Sequence, residues 1–307
     1  MSRRGLIACA LAALAGCASP RPPEPRGWID LDSTSRAERL FGEAHLQPRA
    51  LRLEDAQLRF IELGPADRKA SREVPWLFIH GLGGNLADFA PLMLEAAREH
   101  RVFAVDLPGF GGSVSLTPDY SIPRFVRTLR QFAAAVEVPR FHFVCHSLGG
   151  QVCLGLSLDA PSLVGSMTLV DSAGSYDQKE FLERMSRGRM GRIRPERDPS
   201  VSGAVRGSSD LLQRLLGNEP SVLAALSSFQ VNYHNRIRDV GVPTLIVWGA
   251  DDVIFPVEYA FFLKENIAGS TLRVAQGAGH APQLSSPALV LDWIERFHAG
   301  LGPRREP

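Results

Sequence analysis

A serine, an aspartate and a histidine stand in contexts that favour nucleophilic catalysis. Ser147 lies in the segment HSLGG at residues 146–150, between a short apolar run and a helical pattern. Asp252 and His280 each follow a predicted strand in the last third of the chain. A serine hydroxyl becomes a nucleophile when a base removes its proton, and the base needs an acid that fixes its tautomer and stabilises its cation. The three residues could supply these roles in the chain order Ser147, Asp252, His280.

The surroundings of Ser147 predict a sharp turn between a strand and a helix. Gly149 and Gly150 leave room on the helix side, whereas the pattern G-x-S-x-G expects a third glycine where this chain has Cys145. Such a turn holds the serine hydroxyl clear of both elements, where a histidine and backbone amides can reach it. A serine that only caps the helix is the alternative interpretation.

Apolar runs alternate with helical patterns along most of the chain, which predicts an α/β fold with a doubly wound, mostly parallel sheet. An antiparallel hairpin at 51–53 and 57–63 is predicted to precede buried strands at 74–79, 102–105, 141–145, 167–170, 244–248 and 271–275. Functional sites in such sheets lie at the carboxyl ends of the strands. The residues expected at that edge are Leu82, Asp106, Ser147 and Asp171.

Residues 174–239 interrupt this alternation. Helical segments at 181–185, 211–216 and 222–229 are separated by Gly, Pro, Ser and Arg, with no predicted strand. An insertion of this length after a strand end predicts a helical lid over the site. Six arginines between Arg184 and Arg197 could attract anionic lipid head groups, although a solvated loop is the simpler interpretation.

Four motifs together resemble the α/β-hydrolase superfamily, in its lid-bearing branch of esterases, lipases and related small-molecule hydrolases. The motifs are HGLGG at 80–84, DLPGFGGS at 106–113, HSLGG at 146–150, and the pair WGADD at 248–252 and GAGH at 277–280. The resemblance extends from about Arg49 to Gly300 and implies the α/β-hydrolase fold, with the lid inserted after the strand that ends at Asp171.

The same resemblance assigns roles to five residues. It implies the nucleophile at Ser147, the acid at Asp252 and the base at His280. The backbone N–H groups of Leu82 and Leu148 are implied as the oxyanion donors.

Other ionisable residues offer competing interpretations. Asp251 adjoins the implied acid, and Asp171 ends a strand from which some family members draw their acid. Asp106 is expected to order its own Pro-Gly turn. His80 and His146 are expected to be packed and hydrogen-bonded rather than reactive. The remaining histidines show no metal-ligand spacing, so neither a metal nor another cofactor is predicted.

The amino-terminal segment predicts export and lipidation. Arg3 and Arg4 precede an apolar run from Leu6 to Ala15 that is too short to span a bilayer. The tetrapeptide LAGC at 14–17 resembles the lipobox of bacterial lipoproteins, which implies cleavage before Cys17 and acylation of that cysteine. An ordinary secreted protein with a chance cysteine near its cleavage site is the alternative.

The predicted organisation follows from these segments. Residues 1–16 form a signal peptide, 17–48 the lipidated cysteine, a proline-rich tether and an amino-terminal extension, and 301–307 a tail. The hydrolase core takes 49–173 and 240–300, with the lid at 174–239. Because Ala18 rather than aspartate follows the cysteine, the lipoprotein pattern implies an outer-membrane anchor facing the periplasm of a bacterial cell envelope.

Only Cys145 and Cys153 remain as possible thiols in the folded protein, because Cys9 leaves with the signal peptide and Cys17 is acylated. One is expected at the end of a strand and the other on the next helix, a geometry that argues against a bridge. We therefore expect no disulfide and two buried small side chains.

The sequence as a whole predicts a membrane-anchored serine hydrolase that cleaves carboxylic esters of small or lipid-like alcohols. It leaves open an amide, thioester or carbon–carbon bond as the target, and a non-catalytic envelope binding protein that keeps the fold. The formal charge of +1 gives no reason to expect nucleic acid as a partner. The oligomeric state is not set by the sequence.

Overall fold

A nine-stranded sheet forms the centre of the protein in the computed structural model, which describes residues 39–65, 73–176, 183 and 219–301. The strands are β1 (Arg49–Arg52), β2 (Ala56–Leu63), β3 (Trp76–Ile79), β4 (Val102–Val105), β5 (Val114–Ser115), β6 (Phe141–His146), β7 (Val164–Val170), β8 (Thr244–Gly249) and β9 (Thr271–Ala275). Their order in the sheet is β1-β2-β4-β3-β6-β7-β8-β9, and β5 pairs with β2. The pairs from β4 through β9 along this order are parallel, whereas β2 pairs antiparallel with its neighbours.

Helices cover both faces of the sheet. They are α1 (Ala90–Ala96), α2 (Ile122–Ala135), α3 (Leu148–Asp159), α4 (Glu219–Gln230), α5 (Glu258–Asn266), α6 (Pro282–Ser285) and α7 (Pro287–Leu301), with 3₁₀ turns at Leu86–Phe89, Pro161–Leu163 and His234–Asp239. One apolar cluster packs α2, α3 and α5 on one face of the sheet, and a second packs α1 and α7 on the other. Every residue of β3, β4, β7 and β8 is buried, as strands covered on both faces must be. The doubly wound, mostly parallel sheet is thus confirmed.

Both ends of the predicted lid segment are held against the core. Gln151 on α3 donates its side-chain amide to the Ser228 carbonyl over 3.0 Å. Beyond α4, the Tyr233 N–H donates to the Gly174 carbonyl over 3.0 Å, and the Asn232 amide donates to the Tyr176 carbonyl over 2.6 Å. Helix α4 contains the predicted helical segment 222–229, whereas the segments at 181–185 and 211–216 lie outside the described residues, except for helical Glu183.

The expectation of two free thiols is wrong, because Cys145 and Cys153 form a disulfide. The sequence locates one cysteine on a strand and the other on a helix, but it does not show how these two elements are oriented. In the structure, the turn at Ser147 folds α3 back onto the end of β6. This reversal brings the two Cα atoms to 6.7 Å, within the range that a disulfide spans. The cysteine in the first glycine position therefore joins the strand before the turn to the helix after it.

The predicted membrane anchor cannot be compared with the fold, because residues 1–38 lie outside the described residues. Within the part of the chain that the structure describes, no helix has the length and apolar character needed to cross a bilayer.

Candidate active site

Ser147 occupies a strained turn between β6 and α3. Its backbone has φ 52° and ψ −116°, a conformation that residues with a side chain rarely adopt. The Ser147 N–H donates to the Val170 carbonyl over 3.0 Å, and its carbonyl accepts from the Ala173 N–H over 3.0 Å. The Ser147 side chain makes no capping hydrogen bond to α3. The serine is therefore presented by the turn rather than used as a helix cap.

Two glycines allow the backbone around Ser147 to pack closely. A Cβ on Gly149 would lie 2.5 Å from the Ile79 carbonyl oxygen, because α3 starts against the end of β3. A Cβ on Gly81 would lie 3.0 Å from the Cβ of Ser147. The absent side chain at Gly81 lets the loop at 81–84 approach the serine.

His280 joins Ser147 to Asp252 through two hydrogen bonds. The His280 Nε2 lies 3.0 Å from Ser147 Oγ, and its Nδ1 lies 2.8 Å from Asp252 Oδ2. Asp252 Oδ1 accepts from the N–H groups of Ile254 (2.8 Å) and Phe255 (3.0 Å). Because the aspartate accepts at Nδ1, the neutral imidazole carries its proton there and leaves Nε2 free to accept the serine proton. All three side chains are buried.

Backbone hydrogen bonds fix the two loops that carry the acid and the base. The Ala250 N–H donates to the Ala275 carbonyl and the Asp251 N–H to the Ala278 carbonyl, each over 2.9 Å. These bonds tie the end of β8 to the turn that leads to His280. Asp251 itself is exposed, so the structure places Asp252 rather than its neighbour against the histidine.

His146 and His80 are packed and hydrogen-bonded, as the sequence predicts. The His146 Nε2–H donates to the His280 carbonyl over 2.7 Å, and burial, followed by the proximity of His280, lowers the pKa of His146 to about 3. His80 donates from Nδ1 to the Gly81 carbonyl over 2.7 Å and accepts the Leu107 N–H at Nε2 over 2.9 Å. Burial lowers the pKa of His80 as well. Both rings are thus neutral supports, one for the base and one for the loop at 81–84.

Asp106 orders its own turn, as predicted. Its Oδ2 accepts from the Gly112 N–H over 2.7 Å and from the Arg59 guanidinium over 3.1 Å. Its Oδ1 accepts from the Leu86 N–H over 2.7 Å. Every carboxylate oxygen of Asp106 is therefore engaged in structural contacts.

Each of the two predicted oxyanion donors adjoins a residue that packs at the turn of Ser147: Leu148 follows Ser147 in the chain, and Leu82 follows Gly81. Leu148 is the first residue of α3, and the first N–H groups of a helix have no partner within it. Leu82 follows Gly81 in the loop that packs against the serine. An oxygen bound between these residues would also meet the positive end of the α3 dipole.

Comparison with known proteins identifies the family. The model of the alpha/beta hydrolase family matches residues 76–293. The chain belongs to this family. The nine-stranded, mostly parallel sheet is accordingly an α/β-hydrolase sheet, and the sharp turn at Ser147 has the position of the strand–turn–helix elbow of that fold.

Two sequence relatives and one solved structure are similar to the chain. The chain is 29% identical over 265 residues to the putative carbamate hydrolase RutD of Variovorax paradoxus, covering 77% of this chain and 95% of that protein. It is 25% identical over 288 residues to the monoacylglycerol lipase ABHD6 of Bos taurus, covering 83% and 84%. A crystal structure of a bacterial membrane phospholipase A superposes with a TM-score of 0.71 at 21% identity, covering 89% of this chain and 92% of that one. At this identity, the last comparison shows the fold alone.

One contact at the site escaped the sequence analysis. The sequence suggests Asp171 only as an alternative acid. In the structure, an atom of its side chain lies within 4.8 Å of side-chain atoms of both Asp252 and His280. The hydrogen bond to His280 is nevertheless made by Asp252. The sequence does show a carboxylate, Asp171, directly after the apolar run of β7. Only the order of strands in the sheet shows that the end of β7 adjoins the end of β8.

Proposed function

We propose that this hydrolase cleaves carboxylic esters through an acyl-enzyme formed on Ser147. The observation that carries the proposal is the continuous hydrogen-bonded chain from Ser147 through His280 to Asp252, with distances of 3.0 and 2.8 Å. A serine in a strained turn, a neutral imidazole with a free Nε2 and an aspartate on its Nδ1 are what nucleophilic catalysis requires.

Each residue has a defined step in the proposed reaction. Ser147 Oγ attacks the ester carbonyl while His280 Nε2 accepts its proton, and Asp252 stabilises the imidazolium that forms. His280 then gives the proton to the leaving alcohol, which departs as the carbon–oxygen bond breaks. Water, deprotonated by the same Nε2, then attacks the acyl-serine. The bond between the acyl carbon and Ser147 Oγ breaks, Nε2 returns the proton to Oγ, and the acid leaves. The N–H groups of Leu82 and Leu148 bind the negative oxygen in both steps, and one such donor typically contributes about 100- to 1000-fold in rate.

An apolar surrounding favours a lipid-like substrate. The ring of Phe255 lies 5.4 Å from the ring of His280 and stacks at 5.9 Å on Tyr176. Leu82, Ile254 and Val257 are partly buried apolar side chains of the same core. Apolar side chains near the base would bind acyl chains by the hydrophobic effect. The name monoacylglycerol lipase among the similar proteins supports the same substrate class.

Labelling with a fluorophosphonate probe tests the nucleophile. The wild-type chain is expected to label and Ser147→Ala to lose all labelling, because the probe reacts with a serine activated by a base. The matched control is Ser157→Ala on the same helix, whose hydroxyl donates to the Leu154 carbonyl and which should label normally. Nitrophenyl esters of increasing chain length, and the corresponding anilides, would then define the acyl preference and the bond. Labelling that persists in Ser147→Ala contradicts the proposal.

We also propose that acylated Cys17 anchors the chain in the bacterial cell envelope, at the outer membrane. The support is the LAGC segment after a short apolar run that two arginines precede. Several acyl chains at about 0.8 kcal/mol per buried CH₂ give an essentially permanent attachment. The proline-rich residues 18–27 would then act as an extended tether that holds the hydrolase close to its lipid-like substrates.

Loss of the acylated cysteine is expected to release the chain from the membrane. In cells fed radioactive palmitate, Cys17→Ser should incorporate no label and should leave the membrane fraction. Cys9→Ser is the matched control, because Cys9 belongs to the apolar run that is removed, and it should behave as the wild type. Normal labelling and sedimentation of Cys17→Ser would exclude the anchor.

A further inference from the structure

Asp171 is a buried acid that the proposed reaction does not use. Asp171 follows β7 directly and is fully buried, with 0% of its surface exposed. Its backbone has a positive φ of 43°. The Asp171 N–H donates to the Val247 carbonyl over 3.0 Å, and its Oδ1 accepts from the Gly249 N–H over 2.9 Å. Both contacts are to β8, the strand that leads to Asp252. The side chain of Asp171 is therefore held at a fixed place beside the acid of the site.

The two carboxyl groups cannot both carry a charge at this separation without a large penalty. One atom each of Asp171, Asp252 and His280 lie within 4.8 Å of one another. Among the described residues, the basic group paired with these carboxyls is His280, which lies 2.8 Å from Asp252 Oδ2 and carries a charge only when it is protonated. Two like charges this close repel each other strongly, because burial leaves little solvent to screen them. Such pairs hold one proton between them.

The hydrogen bonds decide which carboxyl holds the proton. Asp252 accepts from two backbone N–H groups and from His280. Asp171 accepts from the Gly249 N–H at Oδ1, and its Oδ2 accepts from no N–H group of the described residues. Donors stabilise the ionised form, so the charge belongs on Asp252. Burial and the adjacent charge of Asp252 raise the pKa of Asp171 well above its usual value.

The charge state of the pair matters for the base. With one proton on the pair, His280 faces a single negative charge, which stabilises the imidazolium when it forms. A second negative charge beside the ring would favour its protonated form, and a protonated Nε2 cannot accept the proton of Ser147. A neutral acid at position 171 thus allows the imidazole to rest in its basic form.

We propose that Asp171 is a positioning residue that remains a neutral carboxylic acid and donates its Oδ2 proton to Asp252. The hydrogen bond holds the Asp252 carboxylate toward His280 and leaves the pair with one negative charge. This inference rests on the proposed function, because it assigns a partner to the acid of that reaction.

Asp171→Asn and Asp171→Leu separate the roles of charge and hydrogen bond. Asparagine keeps an uncharged donor toward Asp252 and an oxygen for the Gly249 N–H, so kcat/KM for a nitrophenyl ester should stay within about threefold. Leucine removes the donor, and kcat should fall about 10- to 100-fold with KM little changed, as for loss of a hydrogen bond to a charged group. Full activity of Asp171→Leu would overturn the proposal.

The pH profile gives a readout that a purely structural role would not move. The acid limb of kcat/KM reports the ionisation of the base in the free enzyme. If Asp171 is neutral, Asp171→Asn leaves the midpoint of this limb in place. If Asp171 is ionised, its replacement removes a negative charge near His280 and moves the midpoint down by about one pH unit or more. The second result would overturn the proposal.

Infrared spectroscopy tests the proton directly on the full chain without substrate. The difference spectrum between wild type and Asp171→Asn at pH 7 should contain the carbonyl stretch of a protonated carboxylic acid. Asp171→Asn also keeps the test valid if Asp171→Leu does not fold. If this carbonyl band is absent from an enzyme that hydrolyses esters, the inference about Asp171 is overturned and the proposed function is not. A wild type that shows the band but reacts with no ester would instead overturn the proposed function.

Discussion

Ser147→Ala and His280→Ala are each expected to lower kcat for a nitrophenyl ester by about 10⁴- to 10⁶-fold. Alanine at 147 removes the atom that attacks the carbonyl. Alanine at 280 leaves the serine hydroxyl without the base that lies 3.0 Å from it. Both side chains are buried, but neither belongs to one of the two apolar clusters, so the fold should persist and can be checked by thermal unfolding.

The double variant distinguishes a catalytic unit from two independent effects. Since neither side chain can act without the other, Ser147→Ala/His280→Ala should be no slower than the slower single variant. The residual rate would come from substrate binding and the Leu82 and Leu148 N–H groups. Ser157→Ala should remain within a few-fold of wild type. A His280→Ala variant that keeps more than about a tenth of the activity would remove the histidine from the mechanism.

The strands and the site edge could be predicted because both depend on local patterns. Continuous apolar runs locate the parallel strands; the segment predicted at 102–105 matches β4, and the one at 271–275 matches β9. Glycine-rich segments after these runs predict loops at the carboxyl edge, where parallel strands place their functional residues. The approach of Ser147, Asp252 and His280 follows from that rule. Strand β5, with two residues, has no periodicity to detect.

The contacts that escaped prediction depend on distances across the elbow and between adjacent strand ends. Cys145 and Cys153 are eight residues apart in sequence, and the direction in which α3 leaves the turn decides whether their sulfur atoms meet. The contact of Asp171 with Asp252 similarly requires that β7 and β8 be neighbours, although the insertion separates them in the chain. Local sequence patterns give neither the direction in which α3 leaves the turn nor the adjacency of β7 and β8, because both are set only when the whole sheet is assembled.

Asp252→Asn is expected to lower kcat by about 10⁴-fold while leaving the fold intact. The asparagine oxygen can still accept the N–H groups of Ile254 and Phe255. Its amide then faces His280 Nδ1 as a donor, which favours the tautomer with the proton on Nε2. In that tautomer Nε2 cannot accept the proton of Ser147, so the base is present but wrongly protonated.

Asp251→Asn is the matched control for Asp252→Asn, because it makes the same chemical change one residue away on an exposed side chain. Its kcat should stay within a few-fold of wild type, since Asp252 rather than Asp251 is bonded to His280. Equal losses in both variants would indicate a disturbed loop instead of a lost acid. A loss below about tenfold in Asp252→Asn would show that another carboxylate serves the histidine. Asp171 lies within reach of that role, so Asp171→Asn made in the Asp252→Asn background would then remove the remaining activity.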